Sequence, residues 1–240
     1  MRKLLVANWK MSSGLSVLEK LADEIVGISL RKNVRSVICP SFPYLHAINQ
    51  VIEGSSVFLG AQDCSMHNAP SHTGDVSAAM LRESGCKYVI LGHSERKRSY
   101  NETSGHIASK LRMVLDEGLH PIVCVGESME DRKEGKTLSV IMEQISEAAI
   151  QGVRKMTVAY EPVWSIGTGV IPTVDDVEEV VKHIEHLVGG DVSVLYGGSV
   201  NAHNCHELMK CNRIGGFLVG KASLNFESFK EIYASLALAM

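Results

Sequence analysis

Glu161 stands directly before Pro162, and this pair is the first place in the sequence where chemistry suggests itself. Proline pushes the preceding residue towards extended backbone and supplies no N–H to continue a sheet ladder, so the glutamate ends a strand with its carboxylate left at the end. Such a group is either a solvated charge or a general base. The segment that follows, Trp164-Ser165-Ile166-Gly167-Thr168-Gly169, favours the second: an apolar anchor and a glycine-rich tip make a flap that can close over a ligand and offer N–H groups to an anion. His93 follows Gly92 and precedes Ser94-Glu95-Arg96-Lys97, which reads as the start of a short helix capped by Ser94. A lone histidine is often only structural, but the positive end of that helix disfavours a charged ring, and a neutral one can polarise a carbonyl and shuttle protons. Glu95 can pair with a nearby cation or lie on the helix surface. Lys10 would be an ordinary exposed lysine in most proteins, yet beside such groups it can stabilise an anionic ligand or intermediate.

Eight short apolar runs must place these residues: 3–9, 36–40, 57–61, 88–92, 121–126, 156–161, 192–196 and 216–220. Runs such as Val-Ile-Leu and Phe-Leu-Val lack two-residue alternation and so predict strands buried on both faces, as in parallel sheets covered by helices. The intervening segments supply those helices. Between Thr173 and Val188, for example, Val174, Val177, Val180, Val181, Ile184 and Leu187 recur at helical steps, acidic residues fill the first turns and Thr173 is the N-cap. Strict βα alternation eight times over can give an open doubly wound sheet or a closed (β/α)8 barrel; strand count and length favour the barrel, as one domain spanning 1–240. In a barrel the chemistry lies at the carboxyl ends of the strands. Asn8 and Lys10 end the first run, His93 and Glu95 follow the fourth, and Glu161 ends the sixth. Gly197-Gly198-Ser199 and Gly220-Lys221 follow the seventh and eighth, where such barrels commonly bind phosphate through loop amides.

Composition narrows the partners. A formal charge of −3, with no stripe of basic and aromatic residues, excludes the broad attraction that nucleic acids require. Met1-Arg2-Lys3 leads only into the short run Leu4 to Ala7, too brief for a signal-peptide core, and no segment approaches the ~20 apolar residues of a membrane span. A soluble, cytoplasmic protein is expected. Six cysteines are scattered without a CxxC pair and are expected to be reduced. His203, Cys205, His206 and Cys211 have residue types that suit zinc, but lack the paired spacing of a structural site. No metal is predicted.

Asn8-Trp9-Lys10-Met11, Gly92-His93-Ser94-Glu95-Arg96, Pro121 to Glu127, Tyr160-Glu161-Pro162-Val163-Trp164 with Ile166 to Gly169, and Tyr196-Gly197-Gly198-Ser199-Val200 together resemble the triosephosphate isomerase family along nearly the whole chain. The resemblance implies a single-domain (β/α)8 TIM barrel, no cofactor, and interconversion of dihydroxyacetone phosphate and glyceraldehyde 3-phosphate. It makes Glu161 the base, neutral His93 the group that moves protons at the oxygens, and Lys10 the positive charge, with Asn8 and Glu95 in support. That family is itself a standard example of a glutamate base, a neutral histidine and a closing loop. The resemblance further implies phosphate binding by the amides of Gly167, Ser199, Gly220 and Lys221. It implies a homodimer whose long 62–77 segment carries Thr73 towards the partner's active site, near Asn8 and Lys10. Asp63, Asp75, Val170-Ile171-Pro172 and Lys221 depart from the usual pattern; Pro172 is expected to restrict the lid's far end, and Lys221 to constrain the phosphate turn. The rivals are another phosphate-binding barrel, such as an aldolase or a ribulose-phosphate epimerase, and a non-catalytic triose-phosphate-binding barrel.

Overall fold

In a computed structural model, which describes residues 2–166, 168, 170–189 and 191–239, all eight apolar runs form strands. They are β1 (Lys3–Asn8), β2 (Val34–Cys39), β3 (Phe58–Ala61), β4 (Tyr88–Leu91), β5 (His120–Val125), β6 (Thr157–Tyr160), β7 (Ser193–Tyr196) and β8 (Gly216–Val219). Every neighbouring pair is parallel, and β8 returns to β1 with Leu4 opposite Gly216, closing the barrel in sequence order. The open-sheet alternative is thereby excluded.

The side chains explain why the runs showed no alternation. Leu4 and Val6, Val37 and Cys39, Tyr88 and Ile90, Ile122 and Cys124, Ala159, Leu195 and Leu218 fill the barrel interior. Their strand neighbours, including Leu5, Ala7, Ile38, Val89, Val123, Val158, Val194 and Phe217, pack outward under the helices. Both faces are dry, so both parities are apolar. All six cysteines are buried and unpaired, and burial pushes the thiols of Cys39 and Cys124 well up. Cys205 and Cys211 lie in the core, whereas His203 and His206 are exposed, which separates the residues considered for zinc.

The helix Val174–Val188 follows the sequence reading closely. Thr173 caps it by accepting from the Asp176 amide, and Asp176 returns the bond to the Thr173 N–H. Val177, Val180, Val181, Ile184 and Val188 are its buried face. Among the described residues no helix is long and apolar enough to cross a membrane.

His120 opens β5 with Nε2 2.9 Å from Thr157 Oγ1. Burial, then the charges of Arg35 and Lys155, push its pKa from 6.5 down to about 4. The unfolded chain therefore binds more protons between those two values, so stability rises with pH through this window and is lost as the pH falls. His120→Gln, which keeps a hydrogen-bonding group towards Thr157, is expected to flatten that part of the profile. Urea unfolding of parent and variant at about pH 7 and about pH 5 checks it; equal slopes would remove His120 from the account.

Candidate active site

Glu161 leaves the ladder just after β6. Its N–H donates to Val125 O at 2.8 Å, and the approach is so close that a Cβ on Gly126 would lie 1.8 Å from Glu161 O. Glycine at 126 is required by that contact. The Glu161 side chain is 2% exposed. Its Oε2 accepts from the Ser94 N–H at 3.0 Å, while among the described residues Oε1 has no hydrogen-bond partner although His93 Nε2 is 3.2 Å away. The ring and carboxylate touch without an aligned hydrogen bond.

The structure corrects the cap expected at Ser94. The helix runs Ser94–Tyr100, so Ser94 is its first residue, and the cap is the imidazole of His93, whose Nδ1 accepts from the Glu95 N–H at 3.2 Å. A histidine side chain can reach back to an orphan amide of the first turn as an oxygen cap does. The consequence is chemical. A nitrogen that accepts an N–H carries no proton of its own, so the ring is the neutral tautomer with its hydrogen on Nε2, the atom that faces Glu161.

Lys10 arrives from β1 with φ at 52°, a left-handed conformation that costs a residue with a side chain on the order of 1–3 kcal/mol and persists only where the surroundings hold it. Three groups hold it. Asn8 Oδ1 accepts from the Lys10 N–H at 3.1 Å, and Ser41 Oγ and Gln62 Nε2 donate to the Lys10 carbonyl at 2.7 and 2.8 Å. Its ammonium lies 2.5 Å from Glu95 Oε1. Burial pushes the Glu95 carboxyl up, but the hydrogen bond and charge of Lys10 outweigh it and hold the group below its ordinary range. A Cβ on Gly220 would lie 3.1 Å from Lys10 Cε, so the turn after β8 makes room for the lysine.

Asn8, Lys10, His93, Glu95, Glu161, Ser199, Gly220 and Lys221 all line one cavity of about 690 Å³. Gly167 lies outside the described residues. Lys221 begins the short 3-10 turn Lys221–Leu224 and is not among the residues with positive φ, so its side chain causes no backbone strain there. The near end of the lid is anchored by Glu127, fully buried, whose Oε1 accepts from Trp164 Nε1 at 2.8 Å and Tyr160 OH at 3.1 Å. At the far end Pro172 is buried while Val170 and Ile171 are exposed. The sequence reading missed the supports: the Ser94 amide, Ser41, Gln62 and Glu127's role as anchor.

Carboxylate, imidazole and ammonium converge from three strand ends far apart in sequence, which is how barrel enzymes assemble a site for chemistry on a small ligand. The family model for triosephosphate isomerase matches residues 3–236. A triosephosphate isomerase of Aquifex aeolicus is 41% identical over 98% of this chain and 100% of its own length. Those of Thermoanaerobacter sp. and Colwellia psychrerythraea are 41% and 40% identical, over 96% and 95% of this chain and 98% and 95% of their own. The chain belongs to the triosephosphate isomerase family.

Proposed function

We propose that Glu161, His93 and Lys10 carry the isomerisation of D-glyceraldehyde 3-phosphate and dihydroxyacetone phosphate, the reaction of this family in glycolysis and gluconeogenesis, and that residues 1–240 act as one catalytic domain. Glu161 takes the proton from the carbon beside the carbonyl, and the electron pair moves onto the carbonyl oxygen to give an enediolate. His93 donates its Nε2 proton to that oxygen and takes one from the neighbouring hydroxyl. Glu161 returns its proton to the other carbon, so the reaction is redox-neutral overall and needs no cofactor. Lys10, held by Asn8 and paired with Glu95, supplies positive charge as the oxygens become anionic. The amides of Gly167, Ser199, Gly220 and Lys221 take the phosphate.

The observation that carries this reading is His93, whose Nδ1 accepts from the Glu95 N–H while its Nε2 lies 3.2 Å from a Glu161 carboxylate oxygen. Turnover of glyceraldehyde 3-phosphate in metal-free buffer, coupled to detection of dihydroxyacetone phosphate, tests it. Rapid conversion is expected; binding without conversion would make this a triose-phosphate-binding barrel instead.

The cytoplasmic homodimer belongs to the same proposal. Thr73 is exposed on the long loop after β3, and Met11, Met80 and Tyr100 are 94%, 51% and 70% exposed. A cavity of about 450 Å³ lined by Phe42, His72, Asp75 and Tyr100 lies beside that loop. The exposed Met11, Met80 and Tyr100 side chains suit a partner subunit. Sedimentation equilibrium is expected to return twice the 26.1 kDa chain mass, and a monomer would remove the dimer.

A further inference from the structure

Ser165 has no role in the proton transfers, yet it is fully buried at the root of the lid and uses every hydrogen-bonding position it has. Its Oγ donates to Val170 O at 2.7 Å, so the Tyr196 hydroxyl 3.3 Å away is the donor of that pair. The Ser199 N–H donates to the same Oγ at 3.4 Å. One hydroxyl therefore ties the root of the lid to its far end and to the loop after β7. Ser199 Oγ adds a second tie by donating to the Ser165 carbonyl at 2.5 Å. Burial pushes the Tyr196 phenol up to about 12, which keeps it protonated and able to donate.

The Ser199 amide has a single hydrogen. It cannot serve the Ser165 hydroxyl and a phosphate oxygen at full strength together, and an anionic oxygen is the stronger acceptor. The present contact is long for an N–H···O bond, so little is lost when it is given up.

We propose that the Ser165 hydroxyl is a positioning group that holds the Ser199 N–H while the site is free and yields it to the substrate's phosphate, releasing one of the ties between the lid and the β7 loop as substrate arrives. This rests on the Ser199 amide being a phosphate ligand, as proposed above. The bond to Ser199 exists only before binding, so it opposes phosphate; a serine that merely braced the loop would favour phosphate.

The two roles predict opposite signs. In S165A the inhibition constant of inorganic phosphate is expected to fall by about twofold, the low end of what one hydrogen bond is worth because this contact is long, and KM to fall with it while kcat does not rise. An unchanged or higher inhibition constant overturns the proposal. Should the alanine variant fail to fold, S165C is expected to shift the constant in the same direction by less, and equality with the parent overturns the proposal equally. The Ser199 amide resonance of the parent separates the two readings. If saturating phosphate does not move it, the phosphate role of Ser199 fails and this proposal with it; if it moves while S165A binds phosphate no better, only the role of Ser165 falls.

Discussion

Replacing Glu161 by glutamine is expected to lower kcat by about 10²–10⁴-fold, the span that a positioned general base contributes, with little change in KM. Glutamine has the same shape. Its amide oxygen can still accept the Ser94 N–H that now holds Oε2 at 3.0 Å, and the close packing against Gly126 involves backbone that the change leaves alone. What disappears is the basic lone pair on the other oxygen. The amides proposed for phosphate, those of Gly167, Ser199, Gly220 and Lys221, are untouched by the change, so affinity for inorganic phosphate is expected to survive. Glu161→Asp separates position from basicity: the carboxylate retracts by about one methylene and loses either its hold on Ser94 or its reach to the substrate carbon, so kcat falls although a base remains. Steady-state kinetics in both directions check the pair. A glutamine variant within about tenfold of the parent's kcat would take the base role from Glu161.

The second large effect is on stability. Lys110 is buried between two carboxylates, with Nζ 2.7 and 2.9 Å from the oxygens of Asp63 and in contact with Glu102. Arg96 joins the group at 2.8 Å from Asp63, giving two cations and two carboxylates. Lys110→Met leaves two buried carboxylates with one partly exposed guanidinium, and removing one member of such a group costs about 3–5 kcal/mol. For a chain of this length the melting temperature is expected to drop by roughly 6–20 °C. Burial already pushes the Asp63 carboxyl up, against the pull of Lys110 and Arg96, and losing Lys110 pushes it further. An acid whose pKa is raised by folding binds its proton more readily when folded, so the variant's deficit is expected to shrink as the pH falls through that raised value. Asp63→Asn added to Lys110→Met should recover part of the loss. Thermal melts at about pH 7 and about pH 5 decide it: a deficit below about 1 kcal/mol would mean that the charges behave as a solvated surface group.

Strand positions were legible because a doubly buried strand has nowhere to put a polar side chain. At their carboxyl ends six predicted strands overran for a consistent reason: Trp9, Pro40, Gly92, Gly126, Glu161 and Gly220 were read into them, whereas each strand stops one residue earlier. These residues already belong to the turns that build the cavity. The side chains that line the cavity were legible too, since their types and strand-end places are local properties. The supports were not. Nothing about lysine announces a left-handed backbone, and the Gln62 side chain that helps to hold Lys10 comes from 52 positions away. The same holds for Lys110, which as a helical lysine reads as surface until the fold brings Asp63 to it across 47 positions. His93 was assigned a chemical role but not the capping role that fixes its tautomer, because histidine is not a usual cap residue.

The six unpaired, buried thiols make the chain its own unfolding gauge. Each is shielded while the barrel is closed, and burial further withholds the reactive thiolate at Cys39 and Cys124. An alkylating reagent must therefore wait for the core to open, and its labelling rate reads opening frequency strand by strand, from β2 at Cys39 to β5 at Cys124, with no introduced probe. The same arrangement exacts a toll outside the folded state, where all six sulfurs become available for wrong pairings at once. Preparations kept under a reductant should regain the barrel after unfolding, and those left in air should cross-link.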